Sequence, residues 1–284
     1  MSGKKRKNKS GASNALEVQN AAKTLYANIR FMSVDDPIRS VVITSTAPNE
    51  GKTTTAVQLG RAMATAGKTV LLVEADMRRR SLAAMLEVHP QAGLYAVLSG
   101  AAPLSAAIAS TSTPNLYFLD TEPNIPNPAD IISSKRYRAL AAKLAERFDY
   151  VIFDTPPVGT FVDAAVLSTM ADGLVLVVRP GEVKRSALVG AYDQLRKADA
   201  NVLGICATFC EGTGSEYYYA YYTSDGRRVK DQQVYREQEQ KHQTASEGGS
   251  VPVAQTASPT VQTRGLADGH RTQAANKRRD SRAR

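Results

Sequence analysis

Six apolar runs recur through residues 40–209: SVVITS (40–45), KTVLLVEA (68–75), NLYFLD (115–120), DYVIFD (149–154), DGLVLVV (172–178) and NVLGICATF (201–209). Several are unbroken rather than alternating, which is the pattern of parallel strands covered on both faces. Between them, apolar positions fall at helical spacing and predict helices over 52–66, about 128–148, 161–171 and 183–198. Strand and helix therefore alternate as βαβ units. This predicts one α/β domain built on a doubly wound, mostly parallel sheet with right-handed crossovers. No apolar run approaches the roughly 18 residues that a bilayer requires.

Composition changes this picture only at the ends. From residue 225 onward the chain is rich in Gln, Ser, Thr, Ala and charge and poor in large apolar groups. Such a stretch cannot offset its ordering entropy, so residues 225–284 are expected to be a disordered tail. The net charge of +9 also resolves by position. Residues 1–12 carry a net +5, residues 225–284 another +5, and residues 13–224 a net −1. A near-neutral folded part lacks the basic face that nucleic acid needs, so a nucleic-acid partner is not expected. Residues 1–15 read as a basic disordered arm, 16–212 as the folded domain and 213–224 as a separate tyrosine-rich segment. With two cysteines and no apolar leader after the basic N-terminus, a reduced cytoplasmic setting is the expectation. Cys206 and Cys210 are expected to be buried thiols rather than metal ligands.

The chemistry begins at STAPNEGKTTT, residues 45–55, where a strand runs into a Gly-Lys-Thr loop that opens a helix. That is the setting of a phosphate-binding loop, and it makes the sheet P-loop NTPase-like. Gly51 permits the tight turn, and the amides of Asn49, Glu50, Gly51, Lys52, Thr53 and Thr54 would face an anion at the helix N-terminus. Lys52 would reach the β- and γ-phosphates, and Thr53 would offer its hydroxyl to Mg²⁺. A second strand ends in Glu74 and Asp76, and a third, DYVIFDTPPV, ends in Asp154. In an open α/β sheet, ligands sit outside the carboxyl ends of the strands. The acids are thus expected around the loop, with Thr53, Glu74, Asp76 and Asp154 as the Mg²⁺ set and ATP as the nucleotide.

Residues 20–212 resemble the cytoplasmic bacterial tyrosine kinases that regulate capsule and exopolysaccharide synthesis. The resemblance rests on VVITSTAPNEGKTTTAVQLGRAMATAGKTVLLVEADMRRR, GLYAVLSG, PNPADIISSKRYRAL and DYVIFDTPPVGTFVDAAVLSTMADGLVLVVRPG. More loosely, it extends to partition-type and septum-positioning ATPases. Those place a second lysine where this chain has Ala47, and they favour Gly-Gly where it has Pro48 and Asn49. The resemblance implies an ATP-dependent protein-tyrosine autokinase. Its phosphoacceptors would be Tyr217, Tyr218, Tyr219, Tyr221 and Tyr222, five tyrosines within six positions. Transfer would run between subunits of a homo-oligomer, with Lys52, Asp76 and Asp154 as catalytic residues and Asp76 accepting or orienting the phenolic proton. Glu74 stands where the family carries aspartate, and Asp163 matches a further family acid of structural or switching role. The family's ring-assembly motif falls on NAAKTLYAN, residues 20–28, which keeps Asn28 but has Asn20, Lys23 and Tyr26 at its charged positions.

The resemblance further implies a membrane activator protein that recruits the kinase to the inner face of the cell membrane. The basic KKRKNK stretch could add affinity for an anionic surface. Arg78, Arg79 and Arg80 could face phosphate, a partner or water. Two other readings stay open at this point: a partition-like ATPase, and a nucleotide-sensing scaffold with weakened catalysis.

Overall fold

The computed structural model describes residues 4–32 and 36–210. All lie in the first of two units, Met1–Gly214 and Ser215–Arg284, into which the chain divides. The five clustered tyrosines and the tail lie outside the described residues.

Seven strands form one sheet: β1 (Ser40–Ser45), β2 (Val70–Glu74), β3 (Ile108–Ser110), β4 (Leu116–Leu119), β5 (Tyr150–Asp154), β6 (Gly173–Val178) and β7 (Val202–Ala207). Their order is β3-β4-β2-β5-β1-β6-β7. Every neighbouring pair is parallel except β3 with β4. The unbroken apolar runs have the cause expected of them, because β1, β2 and β6 are buried at every position. Alternate residues feed two cores. Val42, Leu71, Val73, Val151, Phe153 and Leu174 pack on one face, and Val41, Ile43, Leu72, Ile152 and Val175 pack on the other. The second core is closed by α1 (Lys4–Phe31), α2 (Lys52–Thr65) and α3 (Leu82–Leu86). The first is closed by short helices α4 (Leu94–Ser99), α5 (Leu104–Ala107) and α6 (Pro128–Ser133), and by α7 (Lys135–Arg147), α8 (Asp163–Ser168) and α9 (Arg185–Lys197).

The six predicted strands are present, and the differences are local. The single helix expected over 128–148 is broken at Ser134, whose ψ of 150° leaves the helical region. The Ser134 hydroxyl accepts the Tyr137 amide and starts α7 afresh. The helix expected over 161–171 is shortened to Asp163–Ser168, because the amides of Thr160 and Phe161 turn back to the Pro157 carbonyl. Helix α1 begins at Lys4, inside the stretch expected to be a disordered arm. Cys206 is only partly buried and Cys210 is exposed, since Cys210 lies past the end of an edge strand. Tyr26 turns into the core at 9% exposure and stacks edge-on against Tyr150, with centroids 5.6 Å apart.

Candidate active site

The sheet order sets the site. β1 lies between β5 and β6, and β5 lies next to β2. The tips of β2, β5 and β1 are therefore neighbours. The loop after β1 opens α2 through Gly51, which adopts φ 89° and supplies no side-chain cap. The first-turn amides of a helix have no intrahelical acceptor, and α2 has no acidic residue in its first turn. These N–H groups, from Lys52, Thr53 and Thr54, are thus left to an anion. The Thr54 side chain is exposed, so its amide is its contribution.

Two residues hold the loop in this shape. The Glu50 side chain is not turned to a ligand: it accepts the Thr46 amide at 2.7 Å, the Thr46 hydroxyl at 2.7 and 2.8 Å, and the Ala47 amide at 3.0 Å. Glu50 is 2% exposed, and with those donors it fixes the width of the loop. Asn49 takes a positive φ of 66°, tolerable for asparagine, and its side chain accepts from Arg79 at 3.4 Å.

The three acids differ in how they are used. Asp76 lies just beyond β2, and its Oδ2 is 3.5 Å from Lys52 Nζ. Its Oδ1 accepts the amides of Arg78 and Arg79. Glu74 is fully buried beside Asp154 in the β2–β5 register. Glu74 Oε1 accepts the Asp76 amide, and Oε2 accepts the amides of Ser81 and Leu82 at 2.7 and 2.9 Å. Its oxygens thus brace the turn that presents Asp76. Asp154 is also fully buried, and neither of its oxygens has a hydrogen-bond partner. Burial raises the proton affinity of Glu74 and Asp154. Each is also pushed up by a neighbouring carboxylate, and Asp154 is pulled back chiefly by the charge of Lys52. A buried, unpartnered carboxylate beside a threonine hydroxyl suits a divalent cation. Among the described residues no three His, Cys, Asp or Glu side chains form a metal cluster. A cation here would draw most of its ligands from phosphate and water, the habit of Mg²⁺.

The loop, Lys52, Thr53, Asp76 and Asp154 are accordingly brought together, with Glu74 behind them. Each arginine of the Arg78–Arg80 run has its own address. Arg78 pairs with buried Asp163 and lies 4.2 Å from the Phe161 ring centroid. Arg79 reaches Asn49, while Arg80 reaches Asp120 and the Thr121 carbonyl. Reading the chain alone missed three contributors. The Ser81 hydroxyl is 2.9 Å from that of Thr53. Gly159 sits so close to the loop that a Cβ there would lie 2.3 Å from the Thr46 carbonyl oxygen. The Thr208 hydroxyl donates to the Glu50 carbonyl at 2.7 Å. Only Thr208 left a trace, as a polar residue at the carboxyl end of a strand.

Comparison with known proteins agrees with this geometry. The AAA domain family matches residues 15–200. Tyrosine-protein kinase YwqD of Bacillus subtilis (strain 168) is 37% identical over 182 residues, 64% of this chain and 77% of its own. The crystal structure of the chimerical protein CapA2B2 superposes with a TM-score of 0.63 at 31% identity, covering 66% of this chain and 82% of that one. The septum site-determining protein MinD from Pyrococcus horikoshii OT3, complexed with Mg-ADP, is less similar, with a TM-score of 0.51 at 26% identity over 59% of this chain and 68% of its own. The sheet is thus one that P-loop ATPases share, and at the greater similarity the chain belongs to the bacterial tyrosine-protein kinases.

Proposed function

We propose that this kinase moves the γ-phosphoryl group of ATP, with Mg²⁺, to Tyr217, Tyr218, Tyr219, Tyr221 and Tyr222 of a neighbouring copy, and in doing so regulates capsular or exopolysaccharide synthesis and export. The observation that carries this reading is the Lys52–Asp76 pair beside the unpartnered Asp154 carboxylate at the mouth of the loop. Thr53 and Asp154 would hold Mg²⁺, which when bound would neutralise charge building on the phosphate oxygens.

The chain's own part is positioning and proton handling. Loop amides hold the phosphates. Lys52, drawn to the β- and γ-oxygens, releases Asp76 Oδ2. The freed carboxylate takes the phenolic proton as the tyrosine oxygen bonds to Pγ, and the bond from Pγ to the bridging oxygen of ADP breaks. A base is needed because an ordinary phenol, with a pKa near 10, is a poor nucleophile at pH 7. Glu74 keeps the 75–81 turn in register beneath Asp76.

We place residues 16–212 as the kinase domain, 213–224 as its substrate segment, and 1–15 and 225–284 as basic extensions. No helix among the described residues is long and apolar enough to cross a membrane. Recruitment to the inner membrane face would therefore use an activator protein, helped by the basic N-terminus on an anionic surface. Purified protein with Mg-ATP and a membrane activator, assayed for phosphotyrosine beside Lys52→Met, tests the reading. Phosphate release without phosphotyrosine would favour a partition-like ATPase, and nucleotide binding with neither product would favour a scaffold.

A further inference from the structure

The strand order gives a bound nucleotide a direction. The acids that would meet the terminal phosphate stand at the tips of β2 and β5, on one side of the β1 loop. The α-phosphate, sugar and base must then extend to the other side, past the tips of β6 and β7. Arg179 is the first residue after β6, and Phe209 is the second after β7.

These two side chains are already paired. The Arg179 guanidinium carbon lies 4.4 Å from the Phe209 ring centroid, and Glu182 holds the same guanidinium at 3.6 Å. The Phe209 ring is 68% exposed, so it is not there to fill a core. It does lie against the phosphate loop, because a Cβ on Gly51 would be 3.5 Å from Phe209 Cε2. Phe209 holds φ at 53°, a conformation rare for a bulky side chain. The contact before it is well fixed: the Thr208 amide donates to the Val178 carbonyl at 2.9 Å and its hydroxyl to the Glu50 carbonyl. The ring is therefore carried on an anchored strand end, a fixed distance from the loop.

Aromatic faces and guanidinium planes are the surfaces on which nucleobases stack. We propose that Phe209 and Arg179 form the stacking platform for the purine base of the nucleotide held by the Gly51–Thr54 loop. This rests on the nucleotide reading of the loop and adds the base-binding half of the site.

The chain contains no tryptophan, so Phe209→Trp gives a single fluorophore at the platform. Its emission should change saturably with Mg-ADP and stay unchanged with Mg-tripolyphosphate, which carries the phosphates without the base. In parallel, calorimetry on Phe209→Ala should show ADP binding weakened about 5- to 100-fold, the range that base–aromatic stacking commands, with tripolyphosphate affinity unchanged. Arg179→Ala should weaken ADP by a smaller factor in the same base-dependent way. If Phe209→Ala leaves ADP affinity intact, or weakens both ligands equally, the platform is wrong while the loop reading stands. If the unsubstituted protein binds neither ligand, the loop reading falls and the platform with it.

Discussion

Lys52 Nζ stands 3.5 Å from Asp76 Oδ2, with both side chains largely closed off from water. The pair explains how a lysine can wait at a phosphate site without a phosphate: Asp76 gives it a counter-charge and is itself held by the Arg78 and Arg79 amides. Asp76→Asn keeps an oxygen for those amides but removes the proton acceptor. Phosphotyrosine formation should fall at least about 100-fold, within the range of a lost general base. ADP binding, read by calorimetry, should stay within several-fold. A variant that transfers at a rate within threefold of the parent would remove Asp76 from the proton step.

Glu50 predicts a different kind of loss. It gathers two amides and a hydroxyl from Thr46 and Ala47 at the base of the loop. Removing a buried charged acceptor leaves those donors unpaired, at about 1.5–3 kcal/mol per bond to a charged group. Glu50→Ala should therefore lower stability by about 2 kcal/mol or more in urea unfolding and weaken tripolyphosphate as well as ADP. If Glu50→Ala unfolds at the parent's midpoint, the carboxylate is not what shapes the loop.

Gly159 and Gly190 make a matched pair. A Cβ on Gly159 would lie 2.3 Å from the Thr46 carbonyl oxygen, backbone against backbone, whereas one on Gly190, inside α9, would meet nothing within 4 Å. Gly159→Ala must push the segment after β5 away from the loop. It should cost about 1–3 kcal/mol and weaken nucleotide binding at least about tenfold by the same displacement. Gly190→Ala should instead stabilise by about 0.5–1 kcal/mol, since alanine is the better helix former. Equal effects from the two substitutions would show that the approach to Thr46 is not tight.

Much of this was legible along the chain because parallel strands buried on both faces read as apolar runs, and acids at their ends stand out against that background. Lys52, Asp76 and Asp154 could be paired in advance for this reason: the tip of a strand is both a place in the sequence and a place in the fold. The fine assignment could not be read, because it depends on where each carboxylate spends its oxygens. Glu50 was expected to lend an amide to the phosphates, and nothing along the chain showed that its side chain also closes the loop. Glu74 was expected at the metal, and its oxygens take three amides of the neighbouring turn. The edge strand β3 and helices α3, α4 and α5 are three to six residues long, too short for a period to show. Tyr26, which read as a lost polar position, is a core residue against Tyr150. A helix seen without its neighbours does not show which side faces the sheet.

The acidic cluster also predicts how the protein responds to pH. Burial, reinforced by Asp154, pushes Glu74 up to about 8 from an ordinary 4.5. Burial pushes Asp154 up to about 6 from 3.8, against the pull of Lys52. A carboxyl whose affinity for its proton rises on folding makes the folded state bind more protons than the unfolded one, so stability falls as pH climbs through the window between the two values. Ligand-free protein should thus lose melting temperature from about pH 4 to pH 8 through these groups. Mg²⁺ binds the ionised carboxylate and competes with the proton, so its stabilising effect should be larger at pH 8 than at pH 6. Asp154→Asn tests both parts at once, because it removes one titrating group and the charge that raises the other. Thermal scans across this range should show a flatter pH dependence for that variant and no Mg²⁺ gain. An unchanged slope in Asp154→Asn would mean that the pH response arises elsewhere in the molecule, and that the buried acids at the β2 and β5 tips are not proton-linked to folding.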